Sequence, residues 1–171
     1  MRLLTPAVKY WVCKSAPGFL YEAMECLGGN GYVEEGILAR HYRESPVNAI
    51  WEGSGNVMCL DVLRALSREV EAAGAVLQRL AGETSGLSGA GDAVAFIGKA
   101  FRRPDSERVA RLAVEKLALL AAAAALNQVS PHHAELFAQT RLAENHASMY
   151  GAVDLAGDEV RGLLERALPV S

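Results

Sequence analysis

Apolar residues recur at helical spacing over most of the chain, and nowhere is a strict alternation of apolar and polar positions sustained. The first segment opens at Thr5-Pro6, an N-cap followed by a proline suited to the first turn, and its Val8, Trp11 and Val12 suit one buried face. Ser15-Ala16-Pro17-Gly18 predicts a kink or restart, since Pro17 would clash with the carbonyl of Cys13. Phe19, Leu20, Ala23, Met24 and Leu27 then carry a helical stripe that stops on Gly28-Gly29. A short helix is expected over 37–43, ended by Ser45-Pro46. Beyond Ser54, Val57, Met58, Leu60, Val62, Leu63 and Leu66 open a long helix expected to reach Arg79 or Leu80. Further helices are predicted over 93–101, 106–129, from Ser130-Pro131 to Glu144, and from Asp158 to Leu168 before Pro169.

The pattern predicts an all-α protein, an antiparallel helix bundle. Gly82, Gly86, Gly89 and Gly91, with Thr84, Ser85 and Ser88, mark the best boundary. They divide the chain into 1–81, a flexible connection over 82–92, and an additional helical subdomain over 93–171. The run Ala121 to Ala125 has high helix propensity and lets another helix approach closely, so its low complexity signals packing.

With 171 residues, 51% of them hydrophobic, the chain is long enough to bury a sizeable core. The apolar run Leu117 to Leu126 is about half of a bilayer span, and no leader is visible at the N-terminus, so a cytoplasmic protein without a membrane segment is expected. Cys13, Cys26 and Cys59 are far apart among apolar residues and read as buried thiols; His132-His133, adjacent on a helix, point in different directions and make no metal clamp. A net charge of −3 gives weak support to DNA binding, which leans on phosphate neutralisation. The basic residues Arg102, Arg103, Arg108 and Arg111 are interrupted by Asp105 and Glu107.

The stretch 27–63 holds the candidate chemistry. Gly28, Gly29 and Gly31 cap a helix or let the backbone lie close to another surface or a ligand. Arg40 and Arg43 would pair with Glu34, Glu35 or Glu44, and Tyr42, Val47, Ile50 and Trp51 would anchor the stretch to the helices. Glu52, just outside a helix capped by Ser54, is stabilised by the helix dipole or acts as a general base, with glycine giving access and Trp51 excluding water.

In order and spacing, Gly28-Gly29-Asn30-Gly31-Tyr32, Arg43-Glu44 and Ile50-Trp51-Glu52-Gly53-Ser54 resemble the C-terminal helical domain of the acyl-CoA dehydrogenases. MECLGGNGY, YRESPVNAIWEGSGN and MCLDVLR resemble its AidB-like subgroup, isovaleryl-CoA dehydrogenase-like flavoproteins associated with the response to DNA alkylation. The match covers roughly residues 3 to 68. The resemblance implies that Glu52 occupies the position of the base that removes the α-proton of an acyl-CoA thioester. It implies that Gly28, Gly29 and Gly31 touch the FAD of a neighbouring subunit, and that Ser54 and Asn56 contact the flavin nucleotide. A homo-oligomer follows, as does a C-terminal fragment of a longer enzyme that is inert by itself. Glu25 departs from the pattern by standing where the family has Gln, bringing a carboxylate near a pyrophosphate. The alternative is a helical oligomerisation or DNA-binding module of a damage-response protein with a vestigial site.

Overall fold

A computed structural model describes residues 3–143 and 149–168. The first helix, α1 (Leu4–Glu25), runs through Pro17, so of the kink or restart expected there the restart does not occur. Pro17 has no amide to donate to the carbonyl of Cys13, so one rung of the ladder is absent there, while hydroxyls engage two other carbonyls of the same stretch. The Ser15 hydroxyl donates to the carbonyl of Trp11 at 2.9 Å, and the Tyr150 hydroxyl donates to the carbonyl of Ser15 at 3.0 Å. Gly18 leaves room for the same tyrosine, whose ring would stand 3.0 Å from a Cβ at that position. Burial falls on Leu3, Ala7 and Tyr10; Val8 and Val12, expected on the buried face, are 41% and 47% exposed.

After α1 come the single turn α2 (Gly29–Tyr32) and α3 (Ile37–Glu44). Ser45-Pro46 changes the helix type rather than ending it, since residues Ser45–Ala49 continue as a 3₁₀ segment. The long helix expected beyond Ser54 is two helices, α4 (Gly55–Arg68) and α5 (Val70–Glu83), broken at Glu69 (φ −127°, ψ 53°). Next follow α6 (Ala90–Arg102), a 3₁₀ turn over Ser106–Val109, α7 (Ala110–Val129), α8 (Pro131–Arg141) and α9 (Gly157–Ala167). Among the described residues there is no strand, so the all-α expectation stands. The expected helix end at Glu144 and the stop at Pro169 lie outside the described residues.

The helices gather around α7, which packs against α1, α4, α5, α6 and α8. Its Ala113, Val114, Leu117, Leu120 and Ala123 have no exposed surface, and the alanines let neighbouring backbones approach. Val62 of α4, Ile97 of α6 and Leu142 beyond α8 complete the same core. The connection expected over 82–92 is shorter, because α5 runs through Glu83 and α6 begins at Ala90. Its stations are fixed: Thr84 is buried with its hydroxyl on the carbonyl of Leu80, and the Ser88 amide donates to Glu135 at 3.1 Å. Gly89 has φ +70°, and a Cβ there would lie 2.6 Å from the Leu142 carbonyl, so only glycine fits between α6 and the end of α8.

Candidate functional site

The candidate residues are distributed along α1, and the helix separates them into two groups. Gly28, with φ +57°, turns the chain off the end of α1. Gly31 is buried against it, where a Cβ would fall 2.2 Å from the Met24 carbonyl oxygen. Gly29 and Gly28 face open space, with nothing within 4 Å of an added Cβ. This turn therefore has one face locked to α1 and one face bare.

The second group sits towards the other end of α1. Gly55 begins α4 against Tyr10 and Lys14, where a Cβ would meet the Tyr10 ring at 3.2 Å. The approach of Gly31 is to Met24, fourteen residues further on, about 21 Å at the helical rise. Gly28, Gly29 and Gly31 thus do not share one site with Glu52, Ser54 and Asn56. Ser54 holds the N-cap position of α4, with its carbonyl accepting from the Met58 amide at 2.9 Å. Its hydroxyl makes no cap hydrogen bond. Asn56, in the first turn, is exposed. Together they border a helix N-terminus, a position that favours negative charge.

Glu52 lies just before that helix in a tight reversal. It has φ +52°, and among the described residues it is the one non-glycine residue with positive φ; Gly53 follows at φ +110°. A side-chain-bearing residue in the left-handed region costs on the order of 1–3 kcal/mol and needs support from its surroundings. Support comes from Lys9 on α1, whose ammonium donates to the carbonyls of Trp51 and Gly53, both at 2.9 Å. The sequence carried no signal for Lys9, because contacts across 42 and 44 residues leave no local trace.

Glu52 and Lys9 line an open groove of about 800 Å³ with Thr5, Pro6, Met58, Asp61, Arg64, Ala65, Arg68 and Glu69. Its floor is apolar at Met58 and Ala65, and its rim carries both signs of charge, with Arg64 engaged by Asp61. Trp51 is 60% exposed and so does not exclude water from Glu52 within this chain. Ile50 and Val47 are exposed as well, which corrects the expectation that they anchor the stretch, whereas Tyr42 does reach α1, its ring centroid 6.2 Å from that of Tyr21. Arg43 does find Glu34, in a two-pronged contact whose second arm is 2.8 Å. The guanidinium holds the Glu34 carboxyl below its ordinary range.

Other candidates resolve by geometry. Cys59 is buried, Cys13 is half-buried and Cys26 is exposed, so one of the three cysteines fits the expected burial. Burial pushes the Cys59 thiol up, with Arg111 opposing. The His132 and His133 rings meet edge to face, and no metal-binding cluster occurs among the described residues. In the basic segment, Arg103 and Arg108 both engage Asp105, and Arg111 donates to the Tyr10 hydroxyl at 3.1 Å. Asp105 is thus shared by two of the four arginines. Among the described residues no helix is long and apolar enough to cross a membrane.

Residues 2–67 match the family described as acyl-CoA dehydrogenase, C-terminal domain. AidB of Escherichia coli (strain K12) is 63% identical over 68 residues, covering 40% of this chain and 13% of that protein. Acyl-CoA dehydrogenase family member 11 of Caenorhabditis elegans is 45% identical over 67 residues, 39% of this chain and 11% of that one. The chain thus spans about an eighth of the length of these curated relatives. The crystal structure of Caenorhabditis elegans ACDH-11 in complex with C11-CoA superposes with a TM-score of 0.69 at 26% identity. That likeness covers 98% of this chain and 33% of the other, so it extends over the helices beyond residue 67.

Proposed function

We propose, from the match of residues 2–67 to the acyl-CoA dehydrogenase C-terminal domain, that this chain serves as the C-terminal part of an FAD-dependent enzyme that desaturates acyl-CoA thioesters at the α,β bond. The observation that carries the reading is Glu52: a carboxylate held in a strained reversal, exposed to a groove, at the start of α4. Glycine would hold that backbone conformation without strain, so a carboxylate there points to a role for its side chain.

The residues present fit parts of a flavin nucleotide. Ser54 offers a hydroxyl with no cap hydrogen bond and Asn56 an exposed amide, both at the N-terminus of a 14-residue helix. The bare face of Gly28 and Gly29 admits a flat group without a Cβ in the way. Their distance from Ser54 and Asn56 suits contacts to two different FAD molecules, one of them held by a neighbouring subunit, as in a homo-oligomer. FAD, when bound, would accept the hydride from the β-carbon of the acyl chain.

The chain's own part is the proton. The Glu52 carboxylate takes the α-proton of the thioester, which is acidified by its carbonyl, and keeps it as a neutral acid. On the rim Arg64 is engaged by Asp61, which leaves Arg68 as an arginine that an anionic part of a CoA thioester could meet. The groove is open to water here, so further walls would come from the rest of the enzyme, and the chain alone would be inert.

Anaerobic titration of the flavin-loaded, full-length protein with short and branched acyl-CoAs tests the reading. Bleaching of the flavin absorbance is expected. Glu52→Gln should slow it by about 10²-fold or more, the scale of a positioned acid or base. Unchanged bleaching in that variant would remove Glu52 as the base. No bleaching in the loaded wild-type protein would overturn the dehydrogenase reading.

A further inference from the structure

We infer that Lys9 is the positioning residue for Glu52, acting through the backbone of the turn rather than through the carboxylate. The inference rests on the reading of Glu52 as the base. An ammonium has three donors and no acceptor, and two of the three at Lys9 end on the carbonyls of Trp51 and Gly53. The Trp51 carbonyl belongs to the peptide that enters Glu52 and the Gly53 carbonyl to the peptide that leaves Gly53, so the two bonds bracket the Glu52-Gly53 reversal and hold it as a unit.

Three observations point the same way. The reversal is the kind that relaxes without support, because Glu52 has a Cβ and φ +52°. The amide of Trp51 is tied back to Val47 at 3.0 Å, so the turn is held at one end by its own 3₁₀ segment and at the other by Lys9. Among the described residues no ion pair within 4 Å involves Glu52, so the lysine charge is spent on carbonyls and the carboxylate stays free to accept a proton. Lys9 projects from the second turn of α1, whose Ala7 and Tyr10 are buried on either side of it in sequence. The turn is thereby registered to the core.

The test compares Lys9→Met, Lys9→Arg and Glu52→Gln in the flavin-loaded, full-length protein. Readouts are the rate of flavin reduction at saturating acyl-CoA, the half-saturating concentration, and amide hydrogen exchange over residues 50–55. Lys9→Met keeps the length of the stem and removes the donors. It should slow reduction about 10- to 100-fold, the cost of a misplaced reacting group, with half-saturation changed less than twofold. Exchange in the turn should rise, and Lys9→Arg, which keeps donors and charge, should recover part of the rate. A wild-type rate in Lys9→Met beside a silent Glu52→Gln would overturn the inference and leave Glu52 as the base. Unchanged exchange in a slowed Lys9→Met would overturn it too, by showing that the turn does not depend on the clamp. A wild-type rate in Glu52→Gln would instead overturn the reading on which it rests, and that single variant distinguishes the two failures.

Discussion

At Gly31, a backbone carbonyl occupies the space of a side chain. Gly31→Ala would bring a Cβ to 2.2 Å from the Met24 oxygen, and backbone cannot swing aside as a flexible side chain can. The variant should lose about 1–3 kcal/mol in urea unfolding, the usual cost of overpacking. Gly29→Ala, whose added carbon meets nothing within 4 Å, should stay near wild type in stability. The pair separates the locked face of the turn from the bare one, a distinction invisible in the sequence, where the three glycines look alike. Glu135 offers a second residue-scale test. Burial raises its pKa, but the Ser88 hydroxyl and amide, with Gln139, outweigh that and hold the carboxyl below its ordinary 4.5. A depressed folded pKa gives stability that is present above the ordinary value and is lost as pH falls through the folded one. Glu135→Gln should therefore melt below wild type at pH 7, by about 1 kcal/mol for a partly exposed charged hydrogen bond. The gap should close as pH falls below about 4.5.

Helices reveal which local rules held. At Pro17 the expected restart does not occur: α1 runs on through it, and the Tyr150 hydroxyl, from outside the helix, donates to the nearby Ser15 carbonyl. Such partners lie 135 residues away and leave no pattern near Pro17. Pro17→Ala restores the absent rung to the Cys13 carbonyl and should raise unfolding stability by about 1–3 kcal/mol, less any gain in unfolded-chain entropy; an unchanged melting temperature would mean that the lost rung costs the folded helix little. The break at Glu69 was illegible for the opposite reason, since no glycine or proline marks it and apolar residues continue on both sides. By contrast Ser54, Ser130-Pro131 and the stop before Pro104 were readable, because caps and prolines act within a turn of themselves. Of the candidate site, Glu52 at the helix start was legible from neighbours. Its strained backbone and its lysine were not.

Across the whole molecule, exposed large apolar side chains gather in the first third, with Phe19, Leu27, Tyr32, Ile37, Ile50 and Trp51 all more than half exposed. The core lies elsewhere, around α7, where Leu120 has no exposed surface. Leu120→Ala should cost about 2–5 kcal/mol, and a single unfolding transition monitored by far-UV circular dichroism would shift as one. The exposed face predicts concentration-dependent association of the isolated chain; sedimentation at rising concentration checks it, and a monomer throughout would count against the face as a docking surface. The arrangement around α7 also sets a timetable. Tyr10 of α1 meets Arg111 of α7 across 101 residues of chain. During synthesis at ~5–20 residues per second, α1 emerges from the ribosome and waits roughly 5–20 seconds for the helix that covers it. In that interval α4, whose Gly55 meets Tyr10, is a native neighbour already made, while the face of α1 that meets α7 stays open to water.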